Sequence, residues 1–204
     1  HSDMTAAVGK IPINLADVDM ASFDSQKIYG VKGIGMLYKN TKVKIKPLFY
    51  GSKNELRPGT PIVPLIASFS KALRIALEDI PAKNEKVTKL NEKICNKLKE
   101  YPKILINKNK NTIPYVLNIS LMNIKPETFI HALEKYEVYV GSNTACASGK
   151  MSPTVFNLYR DKVRALTTIR ISLSYLTTTE EIDEFLTIFN NVYTKLSELA
   201  DKAQ

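Results

Sequence analysis

The sequence predicts an α/β layered chain, and three observations carry that expectation. Beyond Pro102 strand-like and helix-like runs alternate; two helical periodicities occupy the middle of the chain; and the first sixty residues are short apolar or alternating runs punctuated by Gly, Asn and Pro.

Taken in order, "VGKIPINL", "ADVDMASFD", "GIGMLYKN" and "VKIKPLFY" read as strands. From Ile66 the pattern changes: Ile66, Phe69, Leu73, Leu77 and Ile80 recur at helical spacing, and after Pro81 so do Val87, Leu90, Ile94, Leu98 and Tyr101. Pro81 is expected to break or kink this pair of helices. There follow a strand ("YVLNISL"), a helix ("PETFIHALEKY", with Pro126 suited to the first helical position), a short strand ("VYVG"), a loop, a strand ("TIRISLSY") and a last helix. Thr178 and Glu181 have capping-box spacing at the start of that helix, and Ile182, Phe185, Phe189, Val192 and Leu196 form its apolar side.

With 204 residues, 44% of them hydrophobic, the chain can bury a substantial core. No run approaches the 18 or so uninterrupted apolar residues of a membrane span. The net charge of +9 comes from lysines scattered over what reads as solvated strand edges and helix faces, so nucleic acid is not an expected partner. Two cysteines are too few for a disulfide framework and fit a reducing cytosol. Cys95 adjoins the second helical stripe and reads as a packed thiol, whereas Cys146 sits in "GSNTACASGKMSP", a composition suited to an exposed loop. His131, on a helix, reads as a surface or boundary residue, and no metal site is expected.

Read together, "HSDMTAAVGKIPINL", "SFDSQKIYGVKGIGMLY", "RPGTPIVPLI", "VGSNTACASG" and "IRISLSYLTTTEEID" resemble the second half of the cysteine desulfurases, pyridoxal-phosphate enzymes of the class V aminotransferase group. The blocks match in order and approximate separation over nearly the whole chain. The resemblance implies the C-terminal portion of a PLP-dependent transferase fold: residues 1–65 as the tail of the large cofactor-binding domain, and 66–204 as linking helices and a small α/β domain. It also implies that the chain is part of a longer protein.

The site residues follow from the resemblance. Lys27 matches the lysine that holds pyridoxal phosphate through an imine, and Asp3 the carboxylate that keeps the cofactor's pyridine nitrogen protonated. Cys146 matches the cysteine that accepts sulfur as a persulfide, which requires an exposed thiolate. Arg170 matches the arginine that holds the substrate carboxylate, and Thr60 a threonine that reaches the cofactor phosphate of the other subunit in a homodimer. Taken alone, Lys27 reads by default as an exposed turn residue, Asp3 rather as a strand-end cap or turn residue, and Arg170 equally as half of a structural salt bridge.

The implied reaction removes sulfur from L-cysteine, giving L-alanine and a persulfide for an acceptor protein in iron-sulfur cluster or other sulfur biosynthesis, in the cytoplasm. Three positions depart from the family pattern: Ala6 stands where a glutamine contacts the cofactor, Asp24 where a serine binds its phosphate, and Gln26 where a histidine precedes the lysine. A carboxylate beside a phosphate is repulsive. These departures keep open a non-catalytic relative that has lost the cofactor; a selenocysteine lyase or another class V enzyme is a further alternative.

Overall fold

The computed structural model describes residues 1–51, 56–142 and 151–202. The chain forms two compact units, His1–Lys83 and Asn84–Gln204.

In the first unit β1 (Ser2–Asp3), β2 (Met20–Asp24) and β3 (Gly35–Lys39) form a sheet in that order. β1 runs parallel to β2, pairing Asp3 with Ser22, and β3 is antiparallel to β2, pairing Ser22 with Leu37. The two-residue period of β2 turns Ala21 and Phe23 inward. There they join Val8, Ile28 and the Phe69 and Ala76 side chains of α1 (Val63–Leu77) in one small core. Ile66 and Leu77, expected on the buried stripe of α1, are exposed.

Two expected strands are absent from this unit. Val8 to Leu15 forms turns and a bend, begun by Ala7 and Val8 donating to the Met4 carbonyl, and Gly9 adopts φ 71, outside the extended region. Val43 to Tyr50 alternates in sequence but pairs with no strand among the described residues, and Leu48, Phe49 and Tyr50 stand 84%, 70% and 80% exposed. Alternation by itself supplies no ladder partner.

The helix pair is broken as expected, just ahead of Pro81: α1 ends at Leu77, whose carbonyl a continuous helix would direct at the Pro81 ring. The break is at Glu78 and Asp79, the latter left-handed at φ 46, and α2 (Ile80–Leu98) takes Pro81 in its first turn, where no backbone donor is needed.

The second unit holds an antiparallel sheet, β4 (Ile104–Ile106), β5 (Val116–Leu121) and β6 (Thr168–Ser172), with α3 (Pro126–Glu134), α4 (Pro153–Tyr159), α5 (Lys162–Leu166) and α6 (Thr179–Lys202). Leu117, Ile119, Leu121, Ile169 and Ile171 point to one face, where they meet Val87, Leu90, Ile94 and Leu98 of α2, Phe129 and Leu133 of α3, and Ile182, Phe185, Phe189 and Val192 of α6. Phe129 and Phe189 pack edge to face with centroids 5.0 Å apart. α6 starts on the expected reciprocal cap: the Glu181 carboxylate accepts from Thr178 N–H at 2.8 Å, and Thr178 Oγ1 accepts from Glu181 N–H at 3.1 Å.

The expected strand "VYVG" is not formed; only Gly141 bridges, to Arg170. The strand β4 is additional, and the expected loop before β6 contains α4 and α5. Both helices are short and held by side-chain caps: Ser152 Oγ accepts from Val155 N–H and Asp161 Oδ1 from Arg164 N–H. Helices of seven and five residues are too short to show a periodicity.

Candidate active site

Asp3 is the last residue of β1 and Asp24 the last of β2, and because these strands are parallel both lie at the same end of the sheet. Directly after Asp24 the chain turns through a 3-10 helix over Ser25–Ile28 that carries Lys27 on its exposed side, while Ser25 and Ile28 point into the core. Tyr29 caps this turn in the left-handed conformation. Gly30 then donates to the Ser25 carbonyl at 3.0 Å, so close that a Cβ at position 30 would collide with Ser25 Oγ. Lys27 therefore projects from a turn anchored at both ends.

The Asp3 carboxylate accepts from Thr5 N–H at 3.0 Å, and hydrogen bonding to Thr5 holds its pKa below the ordinary aspartate value. Near Lys27 stands Lys10, whose pKa is lowered by burial and, secondarily, by the charge of Lys27. Lys10 Nζ donates to the Ala6 carbonyl at 3.2 Å.

Two of the departures from the family pattern are bonded to each other. Asp24 Oδ1 accepts from Gln26 N–H at 3.0 Å and Asp24 Oδ2 from Gln26 Nε2 at 2.8 Å. The carboxylate thus caps the turn that carries Lys27, with both oxygens engaged.

Thr60 lies in the exposed segment that leads into α1. Arg170 belongs to the second unit, at the centre of β6, paired with Asn118 of β5 and bridged by Gly141. It makes no ion pair with a protein acid among the described residues, and its Nε is buried with no acceptor. Its side chain lines a cleft of about 190 Å³ with Asn107, Asn118, Ser152, Thr154 and Leu158. Asp3 and Lys27 thus come together in the first unit, and Arg170 stands in the other. Cys146 lies outside the described residues. Cys95 is buried, its Sγ 3.3 Å from Asn91 Oδ1 and 3.7 Å from Lys108 Nζ. His131 is exposed and pairs with Glu134 at 2.8 Å.

Sequence reasoning missed the polar residues around Arg170. Asn107 Nδ2 donates to Asn118 Oδ1 at 2.6 Å and to Ser120 Oγ at 2.8 Å, while Arg164 Nε donates to Asn107 Oδ1 at 2.6 Å. Ser120 Oγ in turn donates to the Arg164 carbonyl at 2.7 Å, and the Arg164 guanidinium sits 3.4 Å from the Tyr159 ring centroid. The available clue was Asn118 and Ser120 alternating with Leu117, Ile119 and Leu121 in "YVLNISL": a strand with one polar face.

The family model described as Aminotransferase class-V matches residues 1–185. A NifS/IcsS protein homolog of Lactobacillus delbrueckii subsp. bulgaricus is 34% identical over 208 residues, covering 98% of this chain and 54% of the relative. The cysteine desulfurase IscS of Serratia proteamaculans is 34% identical over 209 residues, covering 98% and 51%. Among solved structures, a NifS-like protein superposes with TM-score 0.84 at 32% identity, covering 95% of this chain and 52% of the other. A NifS-like protein from Rickettsia africae ESF-5 gives 0.83 at 28%, covering 95% and 53%. The chain spans about half the length of the curated relatives it matches. The parallel strand ends, the lysine-bearing turn and the match over residues 1–185 lead to one conclusion: the chain belongs to the aminotransferase class-V family.

Proposed function

We propose that the protein carrying this chain is a cysteine desulfurase that uses pyridoxal phosphate to remove sulfur from L-cysteine, with residues 1–65 in the cofactor-binding domain and 66–204 forming linking helices and a small domain. The observation that carries this reading is the common end of β1 and β2, where Asp3 and the turn bearing Lys27 follow parallel strands. An exposed amine and an ionised carboxylate suit an aldehyde and a pyridine nitrogen, so Lys27 and Asp3 would hold the cofactor. The Asp24 carboxylate does not suit a phosphate, and that contact is assigned to no residue here. When bound, the cofactor supplies an electron sink for the substrate carbon.

The chain's own residues supply the rest. Lys27 Nζ carries protons to and from the substrate carbon; the Arg170 guanidinium binds the substrate carboxylate. The Cys146 thiolate attacks the substrate sulfur. As the new S–S bond forms, the C–S bond breaks with its electron pair retained on the carbon side; protonation there yields L-alanine, and the enzyme keeps the sulfur as a persulfide for an acceptor protein. No external oxidant or reductant is consumed. A homodimer, located in the cytoplasm, completes the proposal; the exposed Thr60 and the exposed apolar run Leu48, Phe49 and Tyr50 support the association.

A second reading, a relative that keeps the fold but not the cofactor, is favoured by the Asp24–Gln26 pair at the phosphate and histidine positions. One experiment separates the two: the visible absorbance of the full-length protein titrated with pyridoxal phosphate. A band that Lys27→Ala abolishes, with alanine formed from L-cysteine and sulfide released from the persulfide on adding a thiol reductant, is the expected result. No band at saturating cofactor would replace the desulfurase by the cofactor-free relative.

A further inference from the structure

The cleft beside Arg170 has a polarity set by a chain of hydrogen bonds that starts at Arg164, just outside its lining. An arginine side chain only donates, so the Arg164 Nε contact at 2.6 Å requires Asn107 to present its oxygen to Arg164. The Asn107 nitrogen must then face the other way, and it donates to Asn118 Oδ1 at 2.6 Å and to Ser120 Oγ at 2.8 Å. Ser120 accepts this bond because its own hydroxyl hydrogen is committed to the Arg164 carbonyl at 2.7 Å. With its oxygen turned toward Asn107, Asn118 has the nitrogen end of its amide directed away from that bond, and it lines the cleft with Arg170. The β5–β6 register pairs Asn118 directly with Arg170, which sets the two side chains next to each other on one sheet face.

A wall made of a guanidinium and an oriented amide N–H pair is an acceptor-seeking surface. No protein acid pairs with Arg170 among the described residues, and its buried Nε has no acceptor there, so the cleft can receive an acceptor from a ligand. We propose that Asn118 is a specificity-determining residue that donates with Arg170 to the α-carboxylate of the amino-acid substrate, with Asn107 and Arg164 as positioning residues that hold its amide nitrogen toward the cleft. This rests on the desulfurase reading for the identity of the amino acid, and on the hydrogen-bond chain alone for the carboxylate.

The test uses the full-length protein and the amino-acid product. Titration calorimetry with L-alanine and with L-alaninamide, which lacks the carboxylate, is compared for wild type, Asn118→Ala, Asn118→Asp and Arg164→Met. Wild type should prefer L-alanine. Asn118→Ala should weaken L-alanine binding about tenfold, the usual loss of one charge-assisted hydrogen bond, and leave alaninamide unchanged. The near-isosteric Asn118→Asp should weaken it more, about a hundredfold, because a carboxylate then faces a carboxylate. Arg164→Met, which removes the donor that orients Asn107 without entering the cleft, should weaken it about threefold. Wild-type affinity in Asn118→Ala, equal losses for both ligands, or a wild type that does not prefer L-alanine would overturn the proposal. Carboxylate-dependent binding through Asn118 in a protein that forms no alanine from L-cysteine would overturn the desulfurase reading and leave the carboxylate site standing.

Discussion

Gly141 and Arg170 exchange backbone hydrogen bonds in both directions, at 3.0 and 2.6 Å, and the Arg170 guanidinium lies so close over the glycine that a Cβ at position 141 would stand 3.1 Å from its terminal nitrogen. The glycine is there for close approach; its backbone is not left-handed. The proposed carboxylate-binding side chain is therefore seated on a surface that tolerates no side chain without moving it.

Gly141→Val should push the guanidinium out of position. The expected outcome in steady-state kinetics on the full-length protein is a KM for L-cysteine raised about tenfold, with kcat within about twofold, and a smaller rise for Gly141→Ala. An unchanged KM in the valine variant would show that Arg170 does not bind substrate.

Replacing the carboxylate that caps the lysine-bearing turn tests the cofactor contact. Asp24→Ser removes a negative charge, and its hydroxyl can still cap the turn. Pyridoxal phosphate should bind at least about tenfold tighter to this variant in an absorbance titration. Equal affinity would mean that Asp24 faces no phosphate.

β6 should be intolerant of truncation on its apolar face. Ile171 is 5% exposed and Leu173, just beyond the strand, 9%, both within the second unit's core. Ile171→Ala or Leu173→Ala should each cost about 2–5 kcal/mol, read as a lower midpoint in thermal or denaturant unfolding. An unchanged midpoint in both variants would place this face in solvent.

Acid should loosen the end of α6. Asp201 Oδ1 accepts from Lys103 Nζ at 2.6 Å and from Asn123 Nδ2 at 3.3 Å, and these bonds, Lys103 first, hold its pKa below the ordinary value of 3.8. A carboxyl whose pKa is lower folded than unfolded contributes stability above its unfolded pKa and loses it as pH falls through the folded value. The melting-temperature difference between wild type and Asp201→Asn should thus be present near neutrality and shrink below about pH 4. A difference that persists at pH 2.5 would trace it to packing instead of charge.

Much of the architecture was legible in the sequence because it is local. The Val87, Leu90, Ile94 and Leu98 stripe, Pro126 at the start of α3 and the Thr178–Glu181 cap each depend on residues within a turn or two of one another, and the structure has all of them. The expected strands at Val8 to Leu15 and Val43 to Tyr50 failed because a strand needs a neighbour, and alternation carries no information about whether one is available. α4 and α5 escaped notice because caps and tertiary packing hold such short helices.

The site divides in the same way. Asp3, Lys27, Cys146, Arg170 and Thr60 were identified as candidates because their neighbours in sequence form family-like blocks. Only the tertiary structure decided that β1 and β2 run parallel, which gives Asp3 and Lys27 a common sheet end, and that Asp24 and Gln26 bond each other. Only the β5–β6 register set Asn118 opposite Arg170, and only folding brought Arg164 to Asn107 across 57 positions to fix which way that amide points. Sequence by itself determines turn-scale structure because propensities and caps act between near neighbours; register and hydrogen-bond polarity arise from groups far apart in the chain and exist only once it has folded.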